Sequence, residues 1–277
     1  MTEAEPPSPL DSSVRPLPNP VVPADLYDEA YYRTACAGYA EWTESDGVEV
    51  AGLYPGILAM AGLKPGDVLV DIGTGRGEML AVAVEHGAAR AIGIEYSPAA
   101  VEMARKTLGA HGTNDAAEVL LVDARSIPLP DDSADLVTMV DVVEHLAPEE
   151  LDLTLAEAFR ILKPGGQLFA HTMPNRNIYD VTYRLQRLMT PGRRRHWPAD
   201  PRKDNEKQMH VNEQTLKGLR RTLCQAGFRP VRTWLGEWIY AEFVPDERAR
   251  RLYKILAKIP MTARFGVGDL FARAIKP

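Results

Sequence analysis

Between Asp67 and Pro174 the chain alternates short, nearly uninterrupted apolar runs with stretches whose apolar residues recur every three or four positions. The runs lie at 67–72, 90–95 (RAIGIE), 118–124 (EVLLVDA), 134–143 (ADLVTMVDVV) and 167–174 (QLFAHTMP). Continuous apolarity over so few residues marks strands covered on both faces, as in a parallel sheet. The intervening stretches predict helices. One runs over 77–86 with Gly87 as its stop. A second opens at Ser97-Pro98, a cap followed by proline in the first turn, and carries Val101, Ala104 and Leu108 on one face. A third starts at Pro148, carries Leu151, Leu155, Ala158, Phe159 and Leu162, and stops at KPGG (163–166). Strand–helix alternation of this kind predicts an α/β protein with a doubly wound, mostly parallel sheet.

The flanks read differently. Residues 1–24 hold seven prolines and no periodicity, and are expected to form a flexible or extended tail. LYDEAYYRTACAGYAEW (26–42) reads as helical, within a cap over 25–63 in which Tyr27, Tyr31, Tyr32, Tyr39 and Trp42 offer stacking faces and polar tips. The remainder, 64–277, is one domain with a polar insertion at 175–211 that contains GRRRHWPADPRK. A helix capped by Asn212 follows, with Leu216, Leu219 and Leu223 inward and Gly227 as its terminator. Two closing strands, 228–238 and 268–277, enclose a basic amphipathic helix at 245–260 with Leu252, Ile255, Leu256 and Ile259 on one side.

Composition narrows the class. Of 277 residues, 45% are hydrophobic and 25% charged, the balance of a globular domain, and the formal charge of −6 argues against a chain that coats nucleic acid. Two cysteines, Cys36 and Cys224, build no disulfide framework. No signal-peptide pattern or bilayer-length apolar run is present, so a cytoplasmic protein without a transmembrane segment is expected. Oligomeric state leaves no mark.

The candidate chemistry starts at VLVDIGTGRGEML (68–80), where a strand ends on Asp71 and glycines follow at 73, 75 and 77. Glycine at alternate positions implies a tight turn or close approach to a ligand. In an open α/β sheet that position, beyond a strand's carboxyl end, is where nucleotides bind. Glu95 ends the second run, where an acid accepts from both ribose hydroxyls, and Asp123 ends the third, within reach of an adenine amine. Asp71 would repel a pyrophosphate but favours a cationic amine or sulfonium. S-adenosylmethionine meets all three conditions.

These segments, with GIEYS, VDARSIPLPDDSADLVTMVDVVEHL and LKPGGQLF, resemble the ordered motifs of the class I S-adenosylmethionine-dependent methyltransferases over about residues 64–174. The resemblance implies a seven-stranded Rossmann-like sheet with an antiparallel last strand. It places Asp71 and Gly73 near the methionine moiety, Glu95 on the ribose, and Asp123 with Ala124 at the adenine, with Gly75, Gly77, Tyr96 and Asp141 as further cofactor-binding residues. Thr74 and Arg76 stand where the family often has Cys and Thr. The implied partner is a small-molecule acceptor, methylated on oxygen or, failing that, nitrogen.

Methyl transfer needs an aligned nucleophile and a proton acceptor. His145 and His210 are the candidate bases. An alternative is a divalent metal on Asp141, Glu144, His145 and His210, a set similar to that of ubiquinone-biosynthesis O-methyltransferases and small-RNA 2′-O-methyltransferases. A metal-free reaction is the expected one, and nucleic acid is the less favoured acceptor. A non-catalytic S-adenosylmethionine-binding protein is the remaining alternative.

Overall fold

The computed structural model describes residues 17–189, 198–202, 204–236, 239, 246–259 and 268–277. The basic cluster at 193–195, with His196 and Trp197, lies outside them, as do the first sixteen residues and Trp238.

Seven strands form one sheet: β1 (Val68–Ile72), β2 (Arg90–Glu95), β3 (Ala117–Leu121), β4 (Ala134–Val140), β5 (Leu162–Thr172), β6 (Val231–Gly236) and β7 (Asp269–Ile275). Their order is β3-β2-β1-β4-β5-β7-β6, and only β7 runs antiparallel to its neighbours. Strand order reverses between β1 and β4, which leaves a crevice at their carboxyl ends.

Among the described residues, ten α-helices surround or cap the sheet. α1 (Glu29–Ala35), α2 (Tyr39–Glu44) and α3 (Tyr54–Ala61) precede it; α4 (Glu78–Glu85), α5 (Pro98–Ala110) and α6 (Pro148–Ile161) are its crossovers. After β5, a π-helical segment (Ile178–Tyr183) leads into α7 (Arg184–Met189) and then α8 (Asp204–Met209). α9 (Leu216–Gln225) precedes β6, and α10 (Glu247–Lys258) precedes β7. One core face gathers Val70, Ile94, Val137, Leu155, Leu168 and Phe228; the other gathers Ile57, Leu69, Leu80, Leu108, Phe169 and Phe271. The strands bury both faces, as their continuous apolarity requires.

Several boundaries depart from the pattern reading. KPGG does not end a helix in a turn: it lies inside β5, where Ala134 pairs with Leu162 and Leu136 with Gln167, so a bulge absorbs the extra residues. The 118–124 run leaves the sheet at Leu121, so Asp123 stands in the following loop. The 134–143 run ends at Val140, because Asp141 turns left-handed (φ 54°) and opens a 3-10 turn over Val143–His145. Thr215, not Asn212, caps α9, accepting from the Gly218 amide at 3.1 Å. The 26–42 segment breaks into α1 and α2 at Gly38, which adopts φ 73°. Ile255 on α10, and Ile259 just after it, are exposed rather than packed.

Residues 17–23 are extended but fastened to the domain. Arg125 Nη2 donates to the Pro18 carbonyl (2.9 Å), the Val21 amide to Glu150 Oε1 (2.8 Å), and Tyr96 Oη to the Val22 carbonyl (3.0 Å).

Candidate functional site

A cavity of about 630 Å³ opens at the carboxyl ends of β1, β2 and β4. Its floor is the glycine turn. Gly73 (φ 73°) is obligatory on two counts: its conformation is left-handed, and a Cβ there would lie 2.4 Å from Val142 Cγ2. Gly75 (φ 55°) lines the cavity and donates its amide to Glu95 Oε2 at 3.1 Å. Gly77 does not line it. Its Cβ would meet Ala104 Cβ at 2.9 Å, so this glycine serves the packing of α4 on α5.

The three strand-edge carboxylates all face the cavity, each in a different state. Asp71 is buried and accepts from Thr138 Oγ1 at 2.7 Å; burial pushes its carboxyl up to about 6. Glu95 accepts the amides of Tyr96 (2.8 Å) and Ser97 (2.9 Å) as well as that of Gly75, which fixes its orientation; burial outweighs these bonds and raises its pKa. Asp123 is gripped by Arg125, with Nη2 at 2.6 Å and Nε at 3.0 Å. Burial there works to raise the pKa, but the Arg125 bonds prevail and hold the carboxyl below its ordinary range. Tyr96 and Ala124 also line this side.

The opposite wall comes from the cap and the insertion: Tyr27, Tyr31, Tyr32, Met209 and His210. Glu144 and His145 enter from the turn after β4. Glu144 is fully enclosed and accepts from Thr172 Oγ1 at 2.6 Å; burial, with the Asp141 charge close by, pushes its carboxyl up to about 8. His145 Nδ1 is 2.9 Å from Tyr27 Oη, and the ring also meets the Met209 backbone. Burial, then His210, holds the His145 imidazole down to about 3, so it is neutral at pH 7. The His210 ring stands edge-on to His145 at 4.9 Å, its pKa also lowered by burial, and its Nδ1 is buried without a partner. Of the two histidines, His210 keeps a nitrogen available.

Glu144, His145 and His210 place one ligand atom each within 4.8 Å of one another. Asp141 is not part of that group: its Oδ1 is 2.8 Å from His171 Nδ1, and His171 Nε2 is 3.0 Å from Asp269 Oδ2. Three of the four candidate metal ligands therefore converge, with Glu144 now accepting from Thr172 and His145 facing Tyr27, while Asp141 stands apart. Burial opposes charging His171, yet the two flanking carboxylates pull its pKa up to about 10.

The sequence reading missed three features. The Asp141–His171–Asp269 row spans three strands and leaves no local pattern. The fork of Arg125 on Asp123, continued to Glu150 at 3.3 Å, was hidden in an ordinary loop. Arg76 and Glu78 pair at 2.7 Å with both side chains almost fully enclosed. Glu78 also accepts from the Ala51 amide and Tyr54 Oη, and Arg76 Nη2 donates to the Ala37 carbonyl, which ties the cap to the glycine turn. Arg76 Nη1 is buried without an acceptor, a deficit of about 1–3 kcal/mol unless a ligand fills it. The signal for it was the departure from the family pattern at Arg76 itself.

Residues 70–170 match the family described as "Methyltransferase domain". The demethylmenaquinone methyltransferase of Symbiobacterium thermophilum is 30% identical over 112 residues, 40% of this chain and 44% of that protein. The 27-O-demethylrifamycin SV methyltransferase of Amycolatopsis mediterranei is 31% identical over 147 residues, 52% of this chain and 53% of that protein. The chain thus spans about half the length of these curated relatives. Among solved structures, the Haemonchus contortus phosphoethanolamine N-methyltransferase 2 complex with S-adenosyl-L-methionine shares the fold at TM-score 0.61 and 18% identity, over 91% of this chain and 60% of that one. The [4+2]-cyclase SpnF shares it at TM-score 0.56 and 19% identity, over 81% and 80%. Residues 70–170 thus carry a methyltransferase domain, and the motif order, the strand topology and the carboxylate-edged cavity agree with a class I S-adenosylmethionine-dependent methyltransferase.

Proposed function

We propose that the protein transfers the methyl group of S-adenosylmethionine to a hydroxyl oxygen of a small uncharged molecule and releases S-adenosylhomocysteine; an amine nitrogen is the second choice of acceptor. The carrying observation is one continuous cavity with two unlike ends. At the first, Asp71 and Glu95 edge a glycine turn suited to a cationic sulfur nucleoside. At the second, tyrosines, Met209 and His210 surround space for an acceptor. The fold is shared by the [4+2]-cyclase SpnF, so the chemistry rests on the site rather than the fold.

The acceptor oxygen attacks the methyl carbon in line, the carbon–sulfur bond breaks with its electron pair going to sulfur, and His210 takes the hydroxyl proton on Nδ1. Its lowered pKa keeps it unprotonated and ready at pH 7. Tyr27 and His145 lock the cap over this end, which excludes water. The basic side chains lining the described cavity are Arg76 and Arg125, both on the cofactor side. Glu206 faces the other end, so an anionic acceptor is disfavoured there. The relative named for 27-O-demethylrifamycin SV supports an oxygen acceptor on a small molecule. The pI of about 5.6 supports this over nucleic acid. No helix among the described residues is long and apolar enough to cross a membrane, and we place the protein in the cytoplasm, where the free Cys36 and Cys224 remain reduced.

The test is S-adenosylhomocysteine release on incubation with S-adenosylmethionine and a panel of phenols, quinols and alkyl alcohols, with amines as a second panel. Turnover on a hydroxyl compound is expected. Cofactor binding with no product from either panel would favour the non-catalytic reading instead.

A further inference from the structure

We propose that the protein docks on the surface of an anionic lipid bilayer through the outward faces of two segments, residues 178–189 and α10. The inference goes beyond methyl transfer and stands whether or not the cavity carries out that reaction.

The observation is a periodic apolar stripe that points outward. Along the π-helical segment and α7, Val181, Leu185 and Leu188 follow at intervals of four and three, the spacing of one helix face, and are 41%, 53% and 65% exposed. Arg184, with a side chain 75% exposed, stands within the stripe, and the exposed Arg176 precedes it. α10 repeats the arrangement: Arg248, Arg251, Ile255 and Lys258 are all exposed at intervals of three, four and three, as is Ile259 directly after the helix. α10 holds five basic residues against one acid, in a chain whose formal charge is −6. Single exposed leucines are ordinary; aliphatic residues in helical register, interleaved with cations on two helices, are not.

Both segments hang from one end of the sheet. Thr172 at the end of β5 pairs with Leu270, and Gly236 at the end of β6 pairs with Asp269, so the two connections start side by side. β5 runs parallel to β4 and β1, so this is also the end at which the cavity opens. The mixed chemistry of the two faces selects the occupant. The core of a protein–protein interface is poor in charge, and RNA gains nothing from Val, Leu and Ile, which do not stack on bases. A bilayer surface takes both kinds of side chain: aliphatic tips enter the acyl boundary while Arg and Lys stay with anionic head groups. The acids beside these cations, Asp180 at 3.0 Å from Arg176 and Glu247 at 2.6 Å from Arg251, form exposed pairs that yield to a lipid phosphate at little cost.

Flotation of the full-length protein with vesicles tests this, using phosphatidylcholine alone and phosphatidylcholine with about one-third phosphatidylglycerol. Wild type should partition onto the anionic vesicles at least about 10-fold more strongly, and should lose that advantage in about 1 M salt. Leu185→Gln with Leu188→Gln should weaken binding to the anionic vesicles about 10-fold. Arg248→Gln with Arg251→Gln should weaken it about 10- to 30-fold. All four side chains are exposed, so both variants should melt as wild type does. Leu153→Gln, which changes an exposed leucine on α6, should bind as wild type does. A wild type that floats with neither vesicle would overturn the proposal, and so would double variants that bind as strongly as wild type. Binding of a short RNA without vesicle binding would give the basic faces to nucleic acid. A dimer that the two leucine changes dissolve, again without vesicle binding, would give the stripe to a second copy. Either result would equally overturn the proposal.

Discussion

The two ends of the cavity are built by different means. At the cofactor end, each carboxylate is held by atoms near it in sequence or on the next strand: Glu95 by the amides of residues 75, 96 and 97, Asp123 by Arg125. At the acceptor end, the contacts join remote segments. Tyr27 meets His145 across 118 positions, and His145 touches the backbone at Met209. The first end is a backbone mould with charges fixed in advance. The second is a side-chain assembly that exists only when the cap and insertion are in place. Changes at the first should therefore strike cofactor affinity, and changes at the second should strike turnover.

The sharpest way to break that division is His210→Ala. Loss of the proton acceptor should lower turnover about 10²- to 10⁴-fold while S-adenosylmethionine affinity stays within about twofold. Parallel loss of both would make His210 a packing residue. Next is Gly77→Ala, which attacks the fold and not the ligand. It forces a side chain into φ 74° and against Ala104, at a cost of about 2–4 kcal/mol. The expected fall in melting temperature is roughly 5–10 °C. Full cofactor affinity in the folded fraction would confirm that this glycine is structural.

Glu95→Gln should weaken S-adenosylhomocysteine binding about 10- to 100-fold, through a lost charged acceptor to the ribose and a loosened Gly75 amide. An unchanged affinity would remove Glu95 from the site.

His171 gives a smaller, pH-dependent effect. Its folded pKa is raised to about 10, so its stabilisation is complete below about 6.5 and lost as pH rises through 10. Glu144, raised to about 8, acts in the same direction over a lower window; the His171 charge holds it down, so substituting His171 moves it further up and offsets part of the difference. Between pH 7 and pH 10, wild type should therefore lose about 1–2 kcal/mol more stability than His171→Asn in parallel urea titrations. Identical slopes would mean the imidazole is uncharged between its two carboxylates. Smallest of all is metal removal. Dialysis against EDTA should leave the rate unchanged, and a rate restored only by a divalent ion would show that Glu144, His145 and His210 leave their present partners to bind it.

The same division explains what could be read in advance. Sheet class, strand positions at β1 and β2, the Ser97 cap and the carboxylates at the strand edges follow from local periodicity and spacing. The role of Gly77 did not, because alternate glycines look alike until Ala104 is seen beside one of them. Asp141 was legible as a polar residue at a strand end, but its partner His171 sits on another strand at zero exposure. No spacing along the chain encodes that pairing. The break of the cap at Gly38 and the bulge that absorbs KPGG are tertiary adjustments, in which sheet pairing overrode turn chemistry.

Calorimetric titration of the wild-type chain with S-adenosylmethionine at pH 5 and pH 7.5 goes most directly to the cradle itself. One molecule should bind per chain, more tightly at the higher pH, because Asp71 ionises near pH 6 and then attracts the cationic ligand. No heat at either pH, or tighter binding in acid, would contradict it.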